Sequence, residues 1–286
     1  MSVPGRSDPC QTAPEPPLDE VVRALLLRYG ASKWEMAHGA CAISGEQPAR
    51  DGQPLRAIPN SGAGAADTHA MEMLNWVSPS ALPRSDVLAP VMRRLNGRAC
   101  ADHSARNTWG FWCKRSAPLD GGMGLPRNRV PYHVHDPHFA LIVLSVPGNG
   151  HSGVAFQASK AEEDHAAEIT LSNNRPQARW IDAAGQRVTL TSAQALQPHV
   201  PAVLSLRSRP GWQSLRVDGV EAGRAQARFA PSNFAQLLIG WGFRNYFPNE
   251  GFGGHVYGVI TGRGTPGDDE MTLLERYLGS TAGLRL

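Results

Sequence analysis

The segment from residue 241 to residue 252 combines aromatic rings with amide, guanidinium and carboxylate groups. Sugars present apolar C–H faces and hydroxyl edges, so proteins hold them with stacked aromatic rings and surrounding hydrogen-bond partners. The segment therefore predicts a carbohydrate-binding site, whose candidate residues are Trp241, Arg244, Asn245, Tyr246 and Asn249. The alternative is that the phenylalanines of the segment fill the core and leave only Trp241 or Tyr246 exposed.

A histidine-rich stretch offers a second kind of chemistry. On a strand, His133 and His135 would share one face, and Asp136 or His138 would supply a third ligand for zinc or another borderline metal. Pro137 interrupts the strand directly after Asp136 and weakens this convergence. The competing interpretation is a polar stretch that precedes a buried strand, so His133, His135 and Asp136 are candidate metal ligands only.

Length and composition limit the classes of protein. The chain has 286 residues, of which 41% are hydrophobic and 19% charged, enough to bury a sizeable core. Its 28 Lys and Arg against 25 Asp and Glu give a net charge of +3, too balanced to favour nucleic acid as a partner. No run approaches the ~20 apolar residues of a membrane helix. The first ten residues lack the pattern of a secretory signal.

Four cysteines are present, at positions 10, 41, 100 and 113. Cys100 and Cys113 flank a short segment and would pair across it in an oxidising compartment. The alternative is that all four are reduced, partly buried thiols. No pair has the Cys-x-x-Cys spacing of a zinc knuckle.

The elements that must position these groups are mostly strands. Residues 1–17 are rich in proline, and a helix follows with one apolar face from Leu18 to Tyr29 and a stop at Gly30. This helix either packs on its own domain or docks the protein onto a larger assembly. Residues 51–107 are interpreted as irregular structure with a few strands.

The second half of the chain has the pattern of an antiparallel sandwich. The apolar run 139–146 predicts a central strand, and strand-length segments bounded by turn residues then recur about every ten residues. Asp218-Gly219 between β-forming residues predicts a tight hairpin. A final helix is predicted to begin with Thr265 as its cap and to end at Gly279.

Several segments together resemble the concanavalin A-like lectin/glucanase superfamily, and its laminin-G-like branch in particular. They are Ala202–Arg207, the Asp218-Gly219 hairpin, Leu237–Gly240, Phe252–Ile260 and Glu275–Leu278, while Asp51–Gly62 resembles the opening of bacterial and phage members. The resemblance implies an all-β fold: an antiparallel jelly-roll sandwich with a short C-terminal helix and an N-terminal helical arm. The implied division is an arm with its helix over residues 1–29 and one jelly-roll domain over residues 30–286.

Catalysis is the less favoured outcome of this resemblance. Glucanases of the superfamily place two carboxylates on one strand face, whereas the dense acidic cluster here, residues 162–165 followed by Glu168, has a different spacing and the flanks of a solvated loop. No Gly-x-Ser-x-Gly elbow and no phosphate-binding loop is present. No catalytic residue is therefore assigned, and calcium is the one cofactor that the resemblance implies.

The preferred hypothesis is a non-catalytic carbohydrate-recognition or adhesion module, such as a bacteriophage tail or baseplate component that contacts host surface glycans. Its expected partners are a cell-surface polysaccharide, a larger assembly bound through the N-terminal arm, and further copies of itself, with a location on a virion or outside the cell. One alternative is a polysaccharide lyase or glycoside hydrolase with His133, His135 or Tyr246 as acid or base. The other is a purely structural virion protein.

Overall fold

The computed structural model describes three helices and nineteen strands. The described residues are 17–62, 71–73, 88–105, 108, 110–114, 137–159, 166–229, 236–244, 247–248 and 251–286. The helices are α1 (Leu18–Arg28), α2 (Met36–Gly39) and α3 (Asp268–Ser280). The strands are β1 (Ser32–Glu35), β2 (Cys41–Ala42), β3 (Leu55–Ile58), β4 (Met71–Met73), β5 (Val91–Leu95), β6 (Arg98–Asp102), β7 (Phe111–Lys114), β8 (His138–Ser145), β9 (Gly153–Ser159), β10 (Ala166–Ser172), β11 (Arg175–Ile181), β12 (Arg187–Thr191), β13 (Ala202–Arg209), β14 (Trp212–Val217), β15 (Val220–Ala225), β16 (Gln236–Ile239), β17 (Phe243–Arg244), β18 (Phe247–Pro248) and β19 (His255–Arg263).

Two large antiparallel sheets carry the fold. Sheet A has the strand order β15-β14-β13-β8-β19-β6-β5, with β1 also paired to β19. Sheet B has the order β12-β11-β10-β9-β16-β7-β4-β3-β2. Strands β17 and β18 form a separate small ribbon. The predicted antiparallel β-sandwich with a C-terminal and an N-terminal helix is confirmed.

The two sheets enclose the main apolar core. Ile142 and Leu144 of β8 point into it from sheet A, and Phe156 and Ile169 point into it from sheet B. Because successive strand residues face opposite sides, Val143 of β8 belongs to a different cluster on the outer face of sheet A. Strand β8 is thus buried on both faces, which explains its continuous apolar run and confirms the predicted central strand.

Helices α1 and α3 form a third layer on the outer face of sheet A. Leu25 of α1 and Leu274 of α3 are buried in one cluster with Phe139 and Val143 of β8. Polar contacts join the helices as well, because Arg28 Nη1 lies 2.6 Å from Glu270 Oε1. The first helix therefore packs on the sandwich. The domain boundary at residue 29 remains a prediction, as does docking through the residues before α1, which lie outside the described ones.

Two hairpins show how far local sequence determines the sheets. The predicted turn at Asp218-Gly219 is confirmed, with φ of 48° and 84°, between β14 and β15. A second hairpin joins β5 and β6 through Asn96 and Gly97, with φ of 50° and 76°. Asn-Gly is a strong signal for such a turn, so the interpretation of residues 51–107 as mainly irregular missed a regular element.

The start of the last helix also differs from the prediction. Helix α3 begins at Asp268, and Gly267 is its N-cap. The Gly267 N–H donates to Glu270 Oε2 at 2.8 Å, so the carboxylate of the first turn satisfies the backbone donor of the N-cap residue, and Thr265 is not the cap. The helix ends at Ser280, one residue beyond Gly279.

The described cysteines are free thiols. Cys100 is buried in β6, and burial raises the pKa of its thiol to about 12. Cys41 is free and partly exposed. Cys10 and the side chain of Cys113 lie outside the described residues. Cys100 therefore forms no disulfide, in agreement with the alternative that the cysteines are reduced thiols.

Candidate functional site

The predicted carbohydrate loop is only partly within the described chain. Trp241 is 3% exposed, and its Nε1 donates to the Phe111 carbonyl oxygen at 3.3 Å. A Cβ on Gly110 would collide with the Trp241 ring, so the glycine makes room for a core indole. The expectation of a solvent-facing Trp241 is therefore corrected: apolar burial and the backbone hydrogen bond hold its ring inside the sandwich.

The other predicted binding residues remain predictions. Arg244 lies in the short strand β17, and its side chain is outside the described part of the structure. Asn245, Tyr246 and Asn249 lie outside the described residues altogether.

The predicted metal ligands also remain predictions. His133, His135 and Asp136 lie outside the described residues. Within the described ranges, no group of three or more His, Cys, Asp or Glu side chains is arranged to hold a metal ion. The metal prediction is therefore untested at its own residues.

Strand register instead places three polar residues side by side in sheet B. Arg179 of β11 pairs with Glu168 of β10, and Glu168 pairs with Gln157 of β9. The row continues through Leu238 of β16 to Trp112 of β7 and to Glu72 of β4. Directly opposed residues of a sheet share one face. Because Phe156 and Ala158 face the core, the side chains of Gln157, Glu168 and Arg179 belong to the opposite, outer face.

The side chains of Gln157, Glu168, Arg179 and Thr170 are in contact with one another. These four residues are called the Glu168 network. Arg179 Nε lies 2.6 Å from Glu168 Oε1, and Gln157 Nε2 donates to Glu168 Oε2 at 2.8 Å. Arg179 Nη2 also donates to Thr170 Oγ1 at 3.4 Å, and that hydroxyl donates to the Gly153 carbonyl oxygen at 2.7 Å. One oxygen of the Glu168 carboxylate thus accepts a hydrogen bond from Gln157, and the other lies in ion-pair contact with Arg179, so the three planar groups are in direct contact.

The position of this network is energetically unusual. Arg179 and Glu168 expose only 12% and 9% of their side chains, and Gln157 is fully buried. Burying a charged pair costs several kcal/mol per ion, and such a pair is often no better for stability than apolar side chains of the same volume. A buried ion pair outside the apolar core is therefore weakly explained by stability and is a candidate recognition element.

The nearest carboxylate along the same row is too far away for glycosidase chemistry. Glu168 and Glu72 are separated by four strand spacings, through β9, β16 and β7, to β4. At about 4.8 Å per spacing, the two backbone positions lie roughly 19 Å apart. Glycosidases need their two carboxyl groups within about 5 to 9.5 Å, so this pair does not provide that mechanism. The other acidic residues of the predicted cluster, 162–165, lie outside the described residues.

A serine, a histidine and an aspartate also meet on sheet A. Ser145 Oγ lies 3.2 Å from His255 Nδ1, and His255 Nε2 lies 3.7 Å from Asp102 Oδ1. Burial lowers the pKa of His255, while the charge of Asp102 opposes this shift. The histidine–aspartate separation exceeds a hydrogen bond, and Ser145 is 1% exposed. This group therefore links three strands and does not present a nucleophile to a substrate.

The residues of the Glu168 network escaped prediction although a local signal existed. In β9 and β10 a polar residue alternates with apolar ones, as in Phe156-Gln157-Ala158 and Ala167-Glu168-Ile169. Period-two alternation assigns both polar residues to one face of a sheet. It does not say which strands are neighbours, and the network exists only because β9, β10 and β11 pair in this register.

Comparisons with known proteins give information about the fold of this chain. No family model matches the chain, and no curated protein matches it. A Trypanosoma rangeli sialidase in complex with sialic acid aligns with a TM-score of 0.51 and 10% identity, over 87% of this chain and 32% of the sialidase. The Ruminococcus gnavus IT-sialidase CBM40 bound to alpha2,3 sialyllactose aligns with a TM-score of 0.42 and 14% identity, over 50% of this chain and 84% of that chain.

These identities bear on architecture alone. Together with the sheet order, the trypanosomal structure supports an antiparallel β-sandwich fold. This structural similarity does not test the more specific assignment to the laminin-G-like branch or to phage proteins. Across the described residues, no helix has the length and apolar character that a membrane crossing requires.

Proposed function

We propose that this protein is a carbohydrate-recognition module that holds a glycan on the outer face of sheet B. The observation that carries the proposal is the Glu168 network, in which a carboxylate, a guanidinium and an amide are fixed by one another outside the apolar core. Fixed planar donors and acceptors recognise sugar hydroxyls well, because little side-chain entropy remains to be lost on binding. Glu168 and Arg179 expose 9% and 12% of their side chains, so a ligand would reach the network only at this charged edge.

Binding without cleavage is the form of the proposal that the geometry favours. The roughly 19 Å between the backbone positions of Glu168 and Glu72 leaves Glu168 without a partner carboxylate in its row at glycosidase distance. A single carboxylate that is already engaged by Arg179 and Gln157 is suited to accept hydrogen bonds from hydroxyl groups. The role proposed for Glu168 is therefore recognition.

The biological setting is a finer proposal that rests on the sequence. A laminin-G-like module of a phage tail or baseplate would present this face to host surface glycans and would attach to its particle through the proline-rich residues before α1. The motifs from Asp51 to Gly62 and from Phe252 to Ile260 support that assignment. Location on a virion or outside the cell, and assembly into a homo-oligomer, belong to the same proposal.

Glycan binding by matched variants tests the proposal. The full chain is applied to an array of neutral and acidic glycans that includes sialylated ones, because sialic acid is the ligand in the trypanosomal structure of similar fold. The affinity for the best glycan is then measured by calorimetry for the wild type and for Gln157→Met. This substitution removes the amide and keeps the size of the side chain, so the affinity should fall at least tenfold, by about 1.4 kcal/mol or more.

Gln213→Met is the matched control. Gln213 is as deeply buried as Gln157 but lies in sheet A, where its Nε2 donates to Ser208 Oγ at 2.6 Å. The control should lose stability without losing affinity. Failure of the wild type to bind any glycan, or wild-type affinity in a folded Gln157→Met protein, would overturn the proposal.

A further inference from the structure

An open cavity of about 490 Å³ lies on the side of the protein opposite sheet B. It is bounded by β1, by the β5–β6 hairpin and by α3, with Asp19 of α1 at its edge. Small-molecule sites commonly have volumes of about 300 to 1,000 Å³. The cavity, here called the Lys33 pocket, is therefore large enough for a small organic ligand.

The inner wall of the Lys33 pocket is a charged pair covered by an aromatic side chain. Lys33 Nζ lies 3.0 Å from Glu35 Oε2 and donates to the Tyr277 hydroxyl at 2.5 Å. Burial opposes the charge of Lys33, but the hydrogen bond with Tyr277 and the charge of Glu35 raise its pKa overall. Lys33 is thus protonated at neutral pH and compensates Glu35, so this wall contributes no net charge.

The outer edge of the pocket carries two guanidinium groups without partners. Arg94 and Arg98 flank the hairpin turn and are exposed, and neither side chain forms a hydrogen bond or an ion pair with another residue of the described chain. Asp19 is the carboxylate at this edge. Two positive charges against one negative charge leave an excess of one positive charge, which suits a ligand with a single negative charge.

Hydroxyl oxygens complete the lining. Ser280 Oγ donates to the Tyr277 carbonyl oxygen at 2.6 Å, and Thr281 Oγ1 donates to the Leu278 carbonyl oxygen at 2.7 Å. Ser61 Oγ donates to the Lys33 carbonyl oxygen at 3.3 Å. Because their protons are already used by backbone carbonyls, these oxygens are available as acceptors for hydroxyl groups of a ligand.

We propose that the Lys33 pocket binds a small monocarboxylate that carries hydroxyl groups, of the size and chemistry of a sugar acid. Arg98 binds the carboxylate, since a guanidinium group forms paired hydrogen bonds with it, and Arg94, on the other face of the hairpin, adds a second positive charge at the same edge. The hydroxyl oxygens of Ser61, Ser280 and Thr281 accept hydrogen bonds from the ligand hydroxyls. A phosphate carries between one and two negative charges at neutral pH, which exceeds the single excess positive charge, and Asp19 repels it. This site is separate from the glycan face of sheet B.

Calorimetric titration with three probes tests the proposal. D-glucuronate supplies a carboxylate and hydroxyls, D-glucose supplies hydroxyls alone, and inorganic phosphate supplies charge alone. We expect D-glucuronate to bind the full chain at least tenfold more tightly than either other probe. The double substitution Arg94→Gln/Arg98→Gln should weaken D-glucuronate binding at least tenfold, because a charge-assisted contact and a second nearby positive charge are lost.

The matched control is Arg56→Gln/Arg228→Gln. It removes two exposed guanidinium groups that do not line the pocket and should leave the affinity for D-glucuronate unchanged. Absence of D-glucuronate binding, equal binding in the Arg94→Gln/Arg98→Gln protein, or equally tight binding of phosphate would overturn the proposal. Because neither arginine lies in the Glu168 network, failure here is distinguishable from failure of glycan binding on sheet B.

Discussion

Arg216 and Glu275 form a bidentate ion pair between sheet A and α3. Arg216 Nε and Nη2 lie 2.8 and 3.0 Å from the two carboxylate oxygens of Glu275, which is fully buried. We expect Glu275→Gln to destabilise the protein by about 3 to 5 kcal/mol, because it removes the buried partner of Arg216 and leaves only the exposed Asp268 carboxylate, at 3.7 Å. Urea unfolding measures the free-energy change.

An exposed pair provides the comparison for this prediction. Arg224 Nη2 lies 2.7 Å from Glu221 Oε2, and both side chains are well exposed. Glu221→Gln should change the free energy of unfolding by less than about 1 kcal/mol. Replacing both buried partners, as Arg216→Met/Glu275→Leu, should recover most of the stability lost in Glu275→Gln. Equal effects of Glu275→Gln and Glu221→Gln would contradict the assignment of a buried charge pair.

His255 makes the stability of the fold depend on pH. Burial lowers its pKa below the usual 6.5, the nearby charges of His199, His151 and Arg93 act in the same direction, and Asp102 opposes them. Between the folded-state pKa and 6.5, the unfolded chain binds more protons than the folded one at this position. The free energy of unfolding contributed by His255 is therefore present above about pH 6.5 and decreases as the pH falls through the folded-state pKa.

Urea unfolding at roughly pH 7.5 and 5.5 checks this sign. The wild type should lose more stability between the two values than His255→Gln, since glutamine fills a similar space and does not titrate in this range. The same loss in both proteins would show that other groups account for the pH dependence.

The β14–β15 hairpin depends on a glycine with positive φ. Gly219 has φ of 84°, and a Cβ there would meet only the Glu275 carboxylate, at 3.8 Å. Gly219→Ala should therefore destabilise the protein by about 1 kcal/mol through backbone strain alone. Gly148 is the matched position, because its φ is not in the left-handed region and nothing lies within 4 Å of a Cβ. Gly148→Ala should be neutral or slightly stabilising, and equal losses in both variants would exclude strain as the cause.

This contrast between hairpin and network explains how much of the structure could be predicted. Asp218-Gly219 specifies its turn through four consecutive residues, so the sequence alone identified it. Asn96-Gly97 carries the same information and was missed because the surrounding strands are short and polar. The Glu168 network depends on which strands become neighbours, and local alternation does not encode that pairing.

Trp241 was predicted to be an exposed binding residue, but it is buried. An aromatic residue beside Arg244 has the composition of a sugar-binding loop, yet the same ring can fill a core. Gly110, directly before β7, leaves room for this ring, because a Cβ there would collide with the Ile239 carbonyl oxygen and with the indole. Such complementarity between distant residues is a property of tertiary packing, and composition within one loop cannot reveal it.

The layered architecture places the two proposed ligand sites far apart. The Glu168 network lies on the outer face of sheet B, whereas the Lys33 pocket lies beside the helices on the outer face of sheet A. Packed sheets are about 10 Å apart and a helical layer adds about 10 Å, so roughly 20 Å of structure separates the sites. Substitutions at that distance with no shared partners usually act independently.

Independence of the two sites is the last prediction. Gln157→Met should weaken binding of the array glycan and leave D-glucuronate affinity unchanged, whereas Arg94→Gln/Arg98→Gln should have the reverse effect. Saturating D-glucuronate should also fail to displace the glycan from the wild type. Calorimetry of each variant with each ligand measures both affinities. Displacement, or loss of both affinities in one well-folded variant, would mean that one site binds both ligands. The proposal of two separate sites on opposite sides of the sandwich would then be wrong.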